Sequence, residues 1–255
     1  ATLNDGDEVI IPAPFWVSYP DMVLVNGGVP VAVPATPQTD YKLTPGALER
    51  AITPRTKWLM MNAPSNPTGA VYRAEELRAL ADVLVRHPHV WLMTDDIYAR
   101  LNFSGEATVH PLQVAPELTD RTLVVNGVSK AYAMTGWRIG YGAGPDELIK
   151  AMAILQSQST SGASSVSQAP ALEALAGPQD CVAEFAKVFR QRRDTAMTVL
   201  AGTPGLQIVE PQGAFYVFPD CQGLLGKHTP AGDVINTDTD LTHYLLREAG
   251  VAVID

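Results

Sequence analysis

The chain has 255 residues, 46% apolar, 7% aromatic and 18% charged, which suffices for a sizeable core and excludes the disordered and fibrous classes. Eighteen Lys and Arg against 27 Asp and Glu leave a formal charge of −9, so no diffuse basic field gathers nucleic acid or anionic lipid. Two cysteines, Cys181 and Cys221, give no disulfide framework and fit a cytoplasmic protein; no apolar run reaches the roughly 18 residues of a bilayer span, and no secretory signal is visible.

Short, evenly apolar runs predict buried strands at residues 8–12, 29–33, 57–62, 90–94, 122–126 and 138–143. Helices are expected between them. Thr44 is placed to cap one, with Pro45 at its first position and Leu48 and Ile52 on one face. Leu77, Leu80, Ala81 and Leu84 recur at helical spacing in another, which His87 and Pro88 end. This alternation predicts an α/β fold with a mostly parallel sheet, covered on both faces in a three-layer α/β/α domain, and ligands beyond the carboxyl ends of its strands.

After Gly144 the pattern turns helical over residues 145–157, 166–176 and 181–200, the last with Val182, Phe185, Ala186 and Phe189 on one stripe. A strand is expected at residues 214–218, then a Gly- and Pro-containing stretch, a helix around Leu241, Tyr244 and Leu245 closed by Gly250, and an apolar run over 251–254. Residues 1–190 read as a large domain and 191–255 as part of a smaller α+β domain, with the chain cut at both ends.

Lys130 follows the apolar run 122–126 in Gly127-Val128-Ser129-Lys130. At a buried strand end an amine is partly desolvated, its neutral form is favoured, and it can form a Schiff base; taken alone, a solvated surface lysine is the commoner case. Arg138 shifts that balance, because a guanidinium gives a phosphate two parallel hydrogen bonds. An amine for an aldehyde beside an arginine for a phosphate suggests pyridoxal phosphate.

Three further motifs sit at strand ends. In Thr94-Asp95-Asp96-Ile97-Tyr98 a carboxylate against a ring nitrogen would favour its protonated state, while an acidic helix cap is the plain alternative. Asn62-Ala63-Pro64-Ser65-Asn66-Pro67-Thr68-Gly69 is physically a turn, since two prolines end strand pairing. Trp16, in Pro14-Phe15-Trp16-Val17-Ser18-Tyr19-Pro20, can stack on an electron-poor ring or simply pack in the core.

Ser129-Lys130 followed by Met134-Thr135-Gly136-Trp137-Arg138 resembles the lysine-attachment signature of class I aminotransferases of the aspartate aminotransferase family, fold type I. The likeness runs from Gly6-Asp7-Glu8-Val9 through Gly213-Ala214-Phe215-Tyr216. It implies a pyridoxal phosphate enzyme that moves an amino group between an amino acid, aspartate as first guess, and a 2-oxo acid. Lys130 would hold the cofactor and move the substrate proton. Asp95 would pair with the ring nitrogen, Tyr98 and Asn66 would meet the ring oxygen, and Asn66 would also bind the substrate carboxylate. Trp16 would stack on the ring and flank the substrate, Arg138 would anchor the phosphate and Ser129 would assist it. A two-fold homodimer is implied as well.

Some departures accompany the resemblance. Tyr19 stands where some members carry a histidine behind the aspartate, and Gly127 stands where some carry a phosphate-binding serine. The family's other phosphate loop and its carboxylate-binding arginine belong to segments upstream and downstream of this sequence. Alternatives are a fold type I lyase, of the aminocyclopropane-carboxylate synthase or carbon–sulfur β-lyase type, and the sensor domain of a transcriptional regulator.

Other patterns carry no chemistry. Gly223-Leu224-Leu225-Gly226-Lys227-His228 lacks Walker spacing, Gly140, Gly142 and Gly144 lack the Rossmann sixth position, and a Gly-x-Ser-x-Gly elbow is missing. Two imidazoles, His87 and His89, make a poor metal site. Arg190, Arg192 and Arg193 are expected on a solvated helix face.

Overall fold

A computed structural model describes residues 1–254. Six strands, β1 (Glu8–Ala13), β2 (Val29–Pro34), β3 (Thr56–Asn62), β4 (Trp91–Asp95), β5 (Thr122–Gly127) and β6 (Gly140–Ala143), form one sheet in the order β2-β1-β3-β4-β5-β6. The first five are parallel and β6 runs antiparallel to β5. Helices α1 (Ser18–Leu24), α2 (Pro45–Ala51), α3 (Ala74–Arg86) and the single turn α4 (Pro111–Val114) lie between the strands. Then follow α5 (Asp146–Ser159), α6 (Ser165–Ala176) and α7 (Asp180–Leu200). A two-stranded ribbon, β7 (Gln207–Ile208) with β8 (Pro219–Asp220), comes next, then α8 (Asp238–Tyr244), which a π-helical turn over Leu245–Ala249 continues; short 3-10 turns lie between the main elements.

Alternation along the strands builds the layers. Ile10 of β1, Leu59 and Met61 of β3 and Leu92 of β4 pack with Leu48 of α2 and Leu77, Leu80 and Leu84 of α3. Their neighbours Val9, Ile11, Trp58 and Met60 point to the opposite face, where Val23 of α1 and Leu148 of α5 cover them. Both faces are buried, so the central strands have apolar middles, Val9–Ile11, Trp58–Met61, Trp91–Met93 and Leu123–Val125, with polar residues at one end or both. Thr44 caps α2 by accepting from the Ala47 amide at 3.3 Å, and Pro45 occupies the first helical position.

At the amino edge of the sheet, Glu8 ties β1 to the turn before β3. Its carboxylate is buried and accepts from Arg55 at 2.7 Å and from the Thr53 hydroxyl at 2.5 Å. The Thr53 hydrogen bond foremost, then Arg55 and Thr56, hold its pKa below the ordinary carboxylate value against the opposing effect of burial.

The structure corrects several expectations. The segment 214–218 is not a strand: Ala214 adopts a left-handed φ of 59°, and only Gly213 makes an isolated bridge, to Asn102. Strand β6 starts at Gly140 rather than residue 138, because Arg138 is left-handed with φ 55°, and it is exposed along its length as the last strand in the order. Residues 251–254 make no strand. Arg193 is not solvated: it bonds the Pro211 carbonyl at 2.9 Å, pairs with Glu210 and lies over the Phe103 ring, while Arg190 and Arg192 are exposed.

A lowered carboxylate pKa stabilises the fold above the unfolded pKa, and that contribution disappears as pH falls through the folded value. Glu8→Gln is therefore expected to lower the unfolding free energy by about 1–3 kcal/mol at neutral pH. The gap to the unsubstituted protein should close in acid, as read by urea denaturation at pH 7 and pH 3.

Candidate active site

Parallel pairing sets the carboxyl ends of β1, β3, β4 and β5 on one edge, where the loops after them carry Trp16, Asn66, Tyr98 and Lys130. Asp95 is the last residue of β4, in register with Asn62 of β3 and Val125 of β5. The Tyr19 hydroxyl donates to Asp95 Oδ2 at 2.6 Å, and the Ile97 amide donates to Oδ1 at 3.2 Å. Burial raises the Asp95 pKa; those two hydrogen bonds lower it, and Asp96 adds a smaller upward push. The phenol of Tyr19, buried and facing a carboxylate, is held far above its ordinary pKa and stays a neutral donor.

Consecutive strand-end residues point apart, and the two aspartates divide accordingly. Asp96 turns to His110, with Oδ2 at 3.2 Å from Nε2, and lines a cavity of about 410 Å³ together with Thr94 and Asn102. None of Lys130, Asp95, Tyr98, Asn66, Arg138, Trp16 and Ser129 lines that cavity. Asp95 alone faces Tyr19.

Tyr98 is 3% exposed, and its hydroxyl lies 2.6 Å from that of Tyr216. Burial foremost, with Tyr216 and Asp95 adding, keeps the Tyr98 phenol protonated. Lys130 Nζ sits 5.7 Å from the Tyr98 ring centre and 5.3 Å from that of Phe215. It makes no ion pair or hydrogen bond among the described residues. An amine faced by aromatic walls and by no carboxylate is available as a nucleophile or a base.

The loop after β3 is fastened from both sides. Asn62 Nδ2 donates to the Asp95 carbonyl at 2.8 Å, and its Oδ1 accepts from the Asn66 amide at 2.7 Å. Gly69 has φ +68°, and a Cβ there would lie 2.5 Å from Pro211 Cβ; one at Gly213 would lie 2.6 Å from Pro64 Cβ. Both positions need glycine. The contact carries residues 211–216 under the loop and delivers Phe215 and Tyr216 to Tyr98.

The remaining candidates stand further out. Trp16 is 39% exposed and meets the Tyr19 ring edge-on at 5.4 Å. Arg138 is exposed and donates to the Thr135 carbonyl at 2.8 Å. The Ser129 side chain forms no hydrogen bond among the described residues. Neither Arg138 nor Ser129 bonds Asp95, Tyr98 or Lys130. Gly127 has a steric reason to be glycine, since a Cβ would lie 2.8 Å from the Ile139 carbonyl oxygen of the neighbouring chain segment. No group of three His, Cys, Asp or Glu among the described residues could hold a metal.

Sequence reasoning gave Tyr19 only a negative significance and left Phe215 and Tyr216 without a role. The signal for the first was an alternative donor type at a position facing a carboxylate. For the other two it was the Gly-Ala-Phe-Tyr motif itself.

A family profile described as aminotransferase class I and II matches residues 1–255. The chain belongs to that family. Among curated proteins, this chain is 57% identical over 254 residues to an aspartate/prephenate aminotransferase of Cereibacter sphaeroides. It is 55% identical to a probable aspartate/prephenate aminotransferase of Rhizobium leguminosarum. The match takes in 100% of this chain and 64% of each relative, so the chain spans just under two thirds of their length. Among solved structures, the aspartate aminotransferase of Rhizobium meliloti superposes with a TM-score of 0.96 at 54% identity, over 99% of this chain and 63% of that one. An aromatic aminotransferase of Pyrococcus horikoshii gives 0.87 at 33% identity, over 99% and 65%. The fold is that of the aminotransferases, a mostly parallel α/β sheet covered by helices.

Two outcomes follow from this geometry. Removing the Tyr19 hydroxyl in Tyr19→Phe should raise the Asp95 pKa further, since the bond that favours the charged carboxylate is lost; side-chain carbon NMR reads it directly. Gly127→Ser should cost about 1–3 kcal/mol in thermal unfolding, because the added side chain meets a backbone carbonyl that cannot rotate away.

Proposed function

We propose that this chain is the cofactor-bearing part of a pyridoxal phosphate aminotransferase that moves an amino group between an aspartate-like amino acid and a 2-oxo acid. The relatives' names make prephenate, a 2-oxo acid, a candidate acceptor. The observation that carries the reading is the unpaired Lys130 amine, walled by Tyr98 and Phe215 at the carboxyl edge of the sheet.

The donor set fits pyridoxal phosphate: an amine without a counter-ion, a buried carboxylate already held by a phenol, and a neutral phenol between them. Bound there, the cofactor supplies an aldehyde for amines and a ring that withdraws electrons from the substrate's α-carbon. Asp95 would keep a proton at the ring nitrogen by opposite charge, and Tyr19, donating to Oδ2, holds that carboxylate in place and favours its charged form. Tyr98 and Asn66 bind the ring oxygen. Asn66 also takes the substrate carboxylate, and Trp16 covers ring and substrate and keeps out water. Arg138 anchors the phosphate with help from Ser129, and Gly127 leaves room for backbone contacts. Lys130 Nζ would move a proton between the substrate α-carbon and the carbon of the cofactor's aldehyde group, as general base and then acid.

The division into a large and a partial small domain, a two-fold homodimer and a cytoplasmic location belong to the same proposal. Among the described residues no helix is long and apolar enough to cross a membrane.

The test is an absorbance spectrum of the full-length gene product with pyridoxal phosphate, before and after aspartate, followed by borohydride trapping and mass spectrometry. Loss of the yellow band on adding aspartate, an adduct on Lys130, and turnover that requires a 2-oxo acid are the expected results. Lys130→Ala should lower turnover at least about 10²-fold. An adduct on another lysine, or turnover without a 2-oxo acid, would remove the assignment.

A further inference from the structure

The hydrogen bond between Tyr98 and Tyr216 assigns work to a residue that the proposed mechanism leaves idle. A phenol has one proton to donate and lone pairs to accept with. If Tyr98 spends its proton on the cofactor's ring oxygen, the 2.6 Å contact with Tyr216 persists only with Tyr216 as the donor.

Tyr216 is also held where it can act. Ala214, fully buried and left-handed, donates its amide to the Leu101 carbonyl at 2.8 Å, three residues beyond Tyr98. The Gly213 amide donates to the Gly69 carbonyl at 3.0 Å, and the Phe103 amide to the Gln212 carbonyl at 2.6 Å. The chain entering Tyr216 is therefore bonded on one side to the segment that carries Tyr98 and on the other to the loop that carries Asn66. The Tyr216 and Tyr98 rings then meet edge-on, 5.7 Å apart. Packing so fixed leaves the Tyr98 hydroxyl little rotational freedom, and a donor into its oxygen aims its proton away from Tyr216.

Resting on the function proposed above, we propose that Tyr216 is a positioning residue: it donates to the Tyr98 oxygen, turns the Tyr98 proton toward the ring oxygen of pyridoxal phosphate and strengthens that hydrogen bond. A stronger donor favours the anionic ring oxygen, which then holds a proton less tightly.

The experiment is a double-mutant cycle on the full-length gene product with Tyr216→Phe, Tyr98→Phe and the pair, all of which keep the rings and their packing. Pyridoxal phosphate affinity is read by titrating apoprotein, and the pH midpoint of the visible absorbance is read on the loaded protein. Tyr216→Phe should bind about five-fold more weakly, the loss of one hydrogen bond's worth of affinity, and its absorbance midpoint should move to higher pH. With Tyr98→Phe already present, removing the Tyr216 hydroxyl should change affinity less than about two-fold and leave the midpoint in place. Equal losses in both backgrounds would show a merely structural role and overturn the inference, as would unchanged or tighter binding by Tyr216→Phe. Failure of the unsubstituted protein to bind the cofactor would instead sink the functional reading, and this role with it.

Discussion

Parallel pairing is the constraint from which the site follows. A parallel sheet sends every carboxyl end to the same edge, and in-register pairing of β3, β4 and β5 aligns Asn62, Asp95 and Val125 there. Residues far apart in sequence are brought together without any special loop. The helices that make this pairing possible cover both faces, and the cost of ordering the edge is met by apolar burial remote from it, at Ile10, Leu59 and Leu84.

Electrostatics at that edge are managed by neutral donors rather than by counter-ions. Burial works against the charged form of Asp95, and a phenol and a backbone amide oppose that effect in part. An arginine in Tyr19's place would satisfy the carboxylate outright and leave it little attraction for a ligand's ring nitrogen. A phenol stabilises the anion while keeping the net charge there negative. Lys130 shows the same economy, with aromatic faces where an acidic partner could have been. The glutamate at the opposite edge, Glu8, does have its arginine and serves only to hold the fold.

Much of this was legible in the residues. Apolar runs of strand length marked β1, β3, β4 and β5 because burial on both faces leaves few polar positions, and Thr44 with Pro45 marked a helix start to the residue. What escaped was decided by long-range contacts. Residues 214–218 have strand-like composition, yet Gly213 against Pro64 and the left-handed Ala214 force a turn there. Arg193 looks like part of a charged helix face, and only the fold brings Pro211 and Phe103 beneath it. Motif spacing pointed to Asp95 over Asp96, and the fold turns the two side chains apart, Asp95 to Tyr19 and Asp96 to His110. The importance of Tyr19 depends on a contact across 76 positions, which no local pattern encodes.

The interlock of Gly69 with Pro211 and of Gly213 with Pro64 has a mechanical implication. Two backbones seated this closely cannot slide past each other by even the width of a methyl group, so this stretch behaves as a rivet between the sheet and the C-terminal portion of the chain. Any reorientation of that portion must pivot on either side of the rivet, leaving the aromatic walls around the amine undisturbed while everything beyond them moves.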